Sequence, residues 1–195
     1  MEVKYGLYTR EKSLFGLVVD DAISYKICDE LIEISRPILQ KSTTLLPKIE
    51  GYRTSSNCFL QYSERKPAKY IADIVSEITK YPLENFEAMQ VLKYEEGEVY
   101  KKHRDSFNKE DYETEFNRGG QRVWTSYTYL NDVESGGETL FTEIGAKIKP
   151  KKSRMVIWMN YFDGKIIEDS MHEALPTIGC EKWGATVWVR ENKFT

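Results

Sequence analysis

KWGATVWVR, residues 182–190, decides the fold class. Successive side chains of an extended strand point to opposite faces. Lys182, Gly184, Thr186, Trp188 and Arg190 therefore share one face, and Trp183, Ala185, Val187 and Val189 share the other. Outward from this stretch the same aromatic and β-branched character recurs. It marks EAMQVLKYE (87–95), RVWTSYTYLND (122–132), GETLF (137–141), RMVIWMN (154–160) and DSMHEAL (169–175). Glu96-Gly97, Asn131-Asp132, Gly136-Gly137 and Asp163-Gly164 punctuate them as turns. The earlier part of the chain has a different period. Residues 20–41 read as an amphipathic helix capped by Asp20 or Asp21, with Ile23, Ile27, Leu31 and Ile34 as its stripe and Pro37 ending it. Residues 67–81 read as a second helix, with Pro67 in its first turn and Tyr70, Ile71, Ile74, Val75 and Ile78 buried. Helices first and strands afterwards predict an α+β, mainly β domain, with the helices packed on one face of a sandwich or barrel.

The chain has 195 residues, enough for one domain over 1–195. Its helical support is expected at about 20–82 and its β core at about 87–192. At 41% hydrophobic and 30% charged residues the composition is globular, which excludes a disordered chain. A net charge of −3 argues against a nucleic-acid partner. No apolar run reaches the roughly 18 to 20 residues of a bilayer span, so no membrane partner is expected. MEVKYGLYTR, residues 1–10, has no apolar leader core. Cys28, Cys58 and Cys180 are scattered and form no C-x-x-C, which fits a reducing cytoplasmic setting. No dimerisation signal is visible, and a monomer is expected.

The chain holds only two histidines, His103 and His172. In a strand, residues i and i+2 face the same way, so His103 and Asp105 can reach one ion. His172 lies in another predicted strand. Two imidazoles and one carboxylate on one face of a metal leave the opposite positions open, the facial triad of non-haem Fe(II) oxygenases. A chance His-x-Asp on a charged surface strand looks the same, so the triad alone is a weak signal. Lys182 adds weight. It follows His172 by ten residues, past Pro176 and Gly179, a spacing that fits one strand, a turn and the start of the next. Alternation leaves two registers open: Lys182 faces solvent beside Glu181, or it faces inward and needs an anion, since a buried unpaired ammonium is costly.

Several blocks together resemble a known family. They are RTSSNCFL (53–60), LENFEAMQVLKYEEGEVYKKHRDSF (83–107), RGGQRVWTSYTYLNDVESGGETLF (118–141), IKPKKSRMVIWMN (148–160) and DGKIIEDSMHEALPTIGCEKWGATVWVR (163–190). In that order they are similar to the catalytic domain of prolyl 4-hydroxylases, within the Fe(II)- and 2-oxoglutarate-dependent dioxygenases. The resemblance covers most of residues 53–190 and little of the first fifty. It implies a double-stranded β-helix, or jelly roll, with N-terminal supporting helices. It implies Fe(II) on His103, Asp105 and His172, and 2-oxoglutarate held by Lys182 with help from the Tyr94 and Thr139 hydroxyls. It implies a channel for a proline-containing peptide or protein lined by Arg53, Ser55, Glu87, Tyr100, Arg122 and Trp188.

The implied reaction uses O2 and 2-oxoglutarate, gives succinate and CO2, and hydroxylates a prolyl residue, with ascorbate as a reductant. Three rivals remain: a 2-oxoglutarate oxygenase acting on another side chain or a small molecule, a non-catalytic β-sandwich that binds sugar or peptide, and a zinc hydrolase, which would give Lys182 no role. The chain departs from the family pattern in two places. Tyr94-Glu95-Glu96-Gly97 stands where Tyr-x-Pro-Gly is usual, so Glu96 replaces a proline, which removes local stiffness. Glu173-Ala174-Leu175 follows His172 where small residues and a cysteine are more usual. The polar loop 107–120 reads either as a lid over the site or as a solvated loop.

Overall fold

The computed structural model describes residues 2–43, 51–108 and 113–195. In chain order it contains β1 (Glu2–Tyr8), β2 (Leu14–Asp20), α1 (Tyr25–Ser35), β3 (Gln40–Lys41), β4 (Ser56–Leu60) and α2 (Lys66–Thr79). There follow β5 (Met89–Tyr94), β6 (Tyr100–His103), α3 (Glu113–Asn117), β7 (Arg122–Tyr129), β8 (Thr139–Phe141) and β9 (Ala146–Ile148). The chain closes with β10 (Met155–Met159), β11 (Tyr161–Phe162), β12 (Lys165–Ile166), β13 (His172–Ala174) and β14 (Lys182–Arg190).

An eight-stranded sheet runs β1-β2-β10-β7-β14-β5-β4-β3, and a four-stranded sheet runs β6-β13-β8-β9. All of their pairings are antiparallel. This is the mainly β sandwich that the strand pattern predicts, in the jelly-roll form that the family resemblance implies. The alternation of β14 sorts its side chains between two cores. Trp183, Ala185, Val187 and Val189 join Leu31, Ile71 and Val75 in the core under α1 and α2. The opposite face looks into the space between the sheets, where Leu92, Tyr94, Tyr127, Tyr129, Phe141 and Trp158 form a second core. The helices therefore stiffen the back of the large sheet, and the site opens between the sheets.

Three expectations need correction. The helix predicted over 20–41 starts at Tyr25, and Ser24 caps it by accepting from Ile27 N. Asp20 ends β2 and is taken by Arg154 and Lys151, while Asp21 turns the chain at φ 52°. The support is also not purely helical, because the β1–β2 hairpin precedes α1 and adds to the edge of the large sheet through β10. Tyr70, predicted to be buried in α2, is 48% exposed, and Ala68 and Ala72 fill the buried face with Ile71 and Val75. Pro37 does end the first helix, in a short 3-10 turn. Within the 107–120 loop, Glu113–Asn117 form α3, while residues 109–112 lie outside the described residues.

Candidate metal and cosubstrate site

β6 and β13 pair with His103 directly opposite His172, so register alone brings the two imidazoles together. Their ring centroids are 4.3 Å apart. Asp105, just past β6, faces both: its Oδ1 lies 3.9 Å from His103 Nε2 and its Oδ2 3.9 Å from His172 Nε2. One donor atom from each residue falls within 4.8 Å of the others.

Each imidazole is oriented from behind. His103 Nδ1 lies 2.7 Å from the Lys101 carbonyl, and His172 Nδ1 lies 2.8 Å from the Ser170 carbonyl. A carbonyl only accepts, so each Nδ1 carries the proton and each Nε2 presents a lone pair to the shared space. Burial, reinforced by the neighbouring His172, pushes the His103 pKa down to about 3, so its ring is neutral at ordinary pH. Burial works to raise the Asp105 pKa. The facing imidazoles, Arg122 and the Thr125 hydroxyl outweigh it and hold the carboxyl below its ordinary value. Two imidazoles and a carboxylate on one side of an open space fit a divalent transition metal and leave positions for further ligands.

The pocket runs from this triad along the inner face of β14 and β5, past Tyr94, Thr139, Tyr127, Thr186 and Trp188. Lys182 stands beside it. Lys182 is paired with Tyr94 across β14 and β5, and its ammonium lies 4.3 Å from the Tyr94 ring centre. Of the two registers open in sequence, the structure takes the inward one, with Lys182 fully buried. Its Nζ donates to Gly137 O at 3.0 Å, and among the described residues no carboxylate is within ion-pair distance. Gly136 and Gly137 make this possible: both have positive φ, and a side chain on Gly136 would strike the Pro176 carbonyl. Burial drives the Lys182 pKa down to about 7. A buried amine of this kind is a receptor for an anion.

The remaining residues fall into two groups. Tyr100 and Arg53 line the pocket. Tyr100 stacks on His103 at 3.5 Å, and the Arg53 guanidinium sits 4.6 Å above the Tyr100 ring while also donating to Gln90 Oε1. Thr139 lines the pocket too, its hydroxyl 2.6 Å from that of Tyr129. Arg122, Glu87 and Ser55 are off the pocket wall. Arg122 lies over the Trp188 indole at 3.8 Å and is gripped by Glu87 through two bonds of 2.6 and 2.7 Å. With Arg190 Nε also 2.7 Å away, Glu87 holds two arginines behind the pocket wall. Ser55 is fully buried and bonds Ser42, so it supports the wall beneath the pocket.

The sequence reading missed Thr125, Tyr127 and Asn160. Thr125 donates to Asp105 Oδ2 at 2.7 Å and accepts from Asn160 Nδ2 at 2.8 Å. The strand that carries Thr125 and Tyr127 is buried on nearly every residue, so its composition gives no sign of which face meets the pocket. Glu173, flagged as a departure, lines the pocket as a carboxylate with no ion-pair or hydrogen-bond partner among the described residues.

Comparisons with known proteins match this geometry. Residues 89–190 match the 2OG-Fe(II) oxygenase superfamily. Prolyl 4-hydroxylase 5 of Arabidopsis thaliana is 31% identical over 206 residues, covering 92% of this chain and 69% of that protein. Prolyl 4-hydroxylase 1 of the same plant is 35% identical over 198 residues, covering 90% of this chain and 68% of that one. Among solved structures, the viral collagen prolyl hydroxylase of Paramecium Bursaria Chlorella virus-1, in its 2OG complex, superposes with a TM-score of 0.75 at 28% identity. It covers 90% of this chain and 96% of the viral one. A Pseudomonas putida prolyl-4-hydroxylase shares the fold, with a TM-score of 0.63 at 19% identity, over 91% of this chain and 92% of its own.

Proposed function

This chain belongs to the 2OG-Fe(II) oxygenase superfamily, and on that premise we propose that it is a prolyl 4-hydroxylase acting on a proline-containing peptide or protein. The observation that carries the cofactor reading is the fully buried Lys182 ammonium, without a counter-ion among the described residues, beside a His–Asp–His triad. His103, Asp105 and His172 would hold Fe(II), and Lys182 would pair with the distal carboxylate of 2-oxoglutarate, with Tyr94 and Thr139 beside it. When bound, Fe(II) and 2-oxoglutarate supply an O2-dependent oxidation in which 2-oxoglutarate becomes succinate and CO2 and a C–H bond becomes C–OH.

The chain's own residues bind and orient. Charge-assisted pairing at Lys182, in a site closed to water, fixes one end of a dicarboxylate. That leaves its keto acid end free to reach the triad. Tyr100 and Trp188 line the pocket as aromatic rings, and such rings pack well on a pyrrolidine ring. Arg122 backs Trp188, and Glu87 holds Arg122 in that position. Arg53, spread over Tyr100, adds a guanidinium that can bond a peptide carbonyl. Prolyl substrate choice rests on the plant and viral relatives named above. O2, ascorbate as reductant, a monomer acting as one unit over 1–195, and a cytoplasmic setting belong to the same proposal. The free Cys28, Cys58 and Cys180 support a reducing compartment. No helix among the described residues is long and apolar enough to cross a membrane.

The test is anaerobic titration with Fe(II) and 2-oxoglutarate, followed by O2 and a panel of proline-containing peptides. A visible charge-transfer band requiring both components, then a peptide heavier by one oxygen on proline, is the expected result. A band without peptide product would keep the oxygenase and reject the prolyl substrate. Folded protein with no band would reject the cofactor reading.

A further inference from the structure

Tyr127 sits in the middle of the pocket wall with a hydroxyl that has no use in the protein itself. Its side chain is nine-tenths buried, and its Oη is shut off from solvent with no hydrogen-bond partner among the described residues. A buried hydroxyl without a partner is destabilising, so a fold that retains one points to something that meets it. The ring is held edge-on against Tyr129 at 5.0 Å, which fixes the direction of the hydroxyl.

Register gives that direction. On β14 the residues Lys182, Gly184 and Thr186 follow one another along the pocket face, each about two strand steps from the next. Tyr127 is paired with Thr186 across β7 and β14. Its hydroxyl does not stay over Thr186. It hangs over Gly184, where any Cβ would overlap it. The phenol is therefore displaced along β14 toward Lys182, and only glycine at 184 admits it. Burial raises the Tyr127 pKa well above the ordinary phenol value, and Tyr94, which faces the Lys182 ammonium, adds to it, so the phenol stays protonated and acts as a donor.

The neighbouring hydroxyls are already engaged. Tyr129 Oη donates to the Ile148 carbonyl at 3.0 Å and lies 2.6 Å from Thr139 Oγ1. When Tyr129 gives its hydrogen to Ile148, Thr139 must give its own to Tyr129. The Tyr94 hydroxyl meets Ser55, so Tyr127 is the phenol of this wall whose Oη has no hydrogen-bond partner among the described residues.

We infer that Tyr127 is a binding residue for 2-oxoglutarate, donating a hydrogen bond to the carboxylate end that Lys182 holds, with Gly184 making room for it. The inference rests on the Fe(II)/2-oxoglutarate reading of the site and adds a contact to it.

Tyr127→Phe tests it, because the ring and its packing are kept and only the hydroxyl goes. In anaerobic titrations of the Fe(II)-loaded protein, the Kd for 2-oxoglutarate should rise about tenfold, as for the loss of one bond to a charged group. The Kd for Fe(II) alone should not change. The melting temperature of the protein free of metal and 2-oxoglutarate should hold or rise, because an unsatisfied buried hydroxyl has been removed. Unchanged 2-oxoglutarate affinity in Tyr127→Phe, with a normal wild-type band, would overturn this inference and leave the cofactor reading intact. A fall in the melting temperature of the ligand-free variant would also overturn it, because the hydroxyl would then serve the fold. Absence of a 2-oxoglutarate-dependent band in the wild type would overturn the cofactor reading and this inference together.

Discussion

Thr125 donates its hydroxyl to Asp105 Oδ2 at 2.7 Å, and both side chains are buried. Asn160 in turn donates to Thr125 at 2.8 Å, so a three-residue relay fixes the carboxylate of the triad from behind. Partners that orient a metal ligand typically contribute 10–100-fold to metal affinity. Thr125→Val keeps the shape and removes the bond. It should weaken Fe(II) or Co(II) binding by roughly tenfold in a direct titration. Wild-type metal affinity would mean that the triad positions Asp105 without help.

Glu87 is the counter-charge for two buried arginines. It bonds Arg122 through both oxygens and lies 2.7 Å from Arg190 Nε. Burial would raise its pKa, but the two guanidiniums hold it below the ordinary carboxylate value. Glu87→Ala strands Arg122 and leaves Arg190 with Glu115 alone, and should lower unfolding stability by about 3–5 kcal/mol, measured by urea titration. The sign for pH follows from the lowered pKa: the carboxylate's stabilisation is complete above its unfolded pKa and is lost as pH falls through the folded one. The difference in stability between wild type and Glu87→Ala should therefore shrink in acid. A constant difference from pH 7 to acid would contradict this pairing.

The strands around the site were legible because each mixes aromatic and β-branched residues with clear turn pairs between them. β14 announced its two faces because a lysine, a glycine and a threonine alternate with apolar residues. β7 announced nothing of the kind, since seven of its eight positions from Arg122 to Tyr129 carry aromatic, β-branched or small residues and almost all are buried on both faces. Thr125 and Tyr127 were hidden for that reason. The misplaced helix start has a different cause. Asp20 looks like a cap locally, but its partner Arg154 lies 134 residues away, a long-range contact that a local pattern does not reveal. The hairpin β1–β2 was missed because β1 is an edge strand exposed along most of its length, and its alternation of Val3, Tyr5 and Leu7 with Lys4 and Gly6 is short.

Trp188 separates peptide binding from cosubstrate binding. It lines the pocket at 8% exposure, and the Arg122 guanidinium lies over its indole at 3.8 Å. It lies at the far end of β14 from Lys182. Trp188→Ala should raise the KM for a proline-containing peptide at least tenfold while the 2-oxoglutarate Kd moves less than twofold, on the order expected for loss of one aromatic hot spot. If both constants rise equally, Trp188 supports the whole pocket and has no selective role in peptide binding.

Lys182 should make cosubstrate binding and folding depend on pH in opposite ways. Its folded pKa is lowered by burial from 10.5 to about 7. Between those values the unfolded chain carries a proton that the folded chain without an anion lacks, so its stability rises with pH there, by up to about 1.4 kcal/mol per unit. An anion paired with the ammonium restores the proton. Binding 2-oxoglutarate above pH 7 is then coupled to proton uptake, and its Kd should rise with pH by up to about tenfold per unit. Lys182→Met removes the titrating group. It should bind 2-oxoglutarate weakly at pH 7, lose the steep pH dependence of that binding, and lose the matching part of the stability slope. Urea titrations of both proteins from pH 7 to 10, with anaerobic 2-oxoglutarate titrations beside them, read both effects. Identical stability slopes would show that Lys182 is charged in the folded protein before any anion arrives, and that an anion is not needed to keep it so.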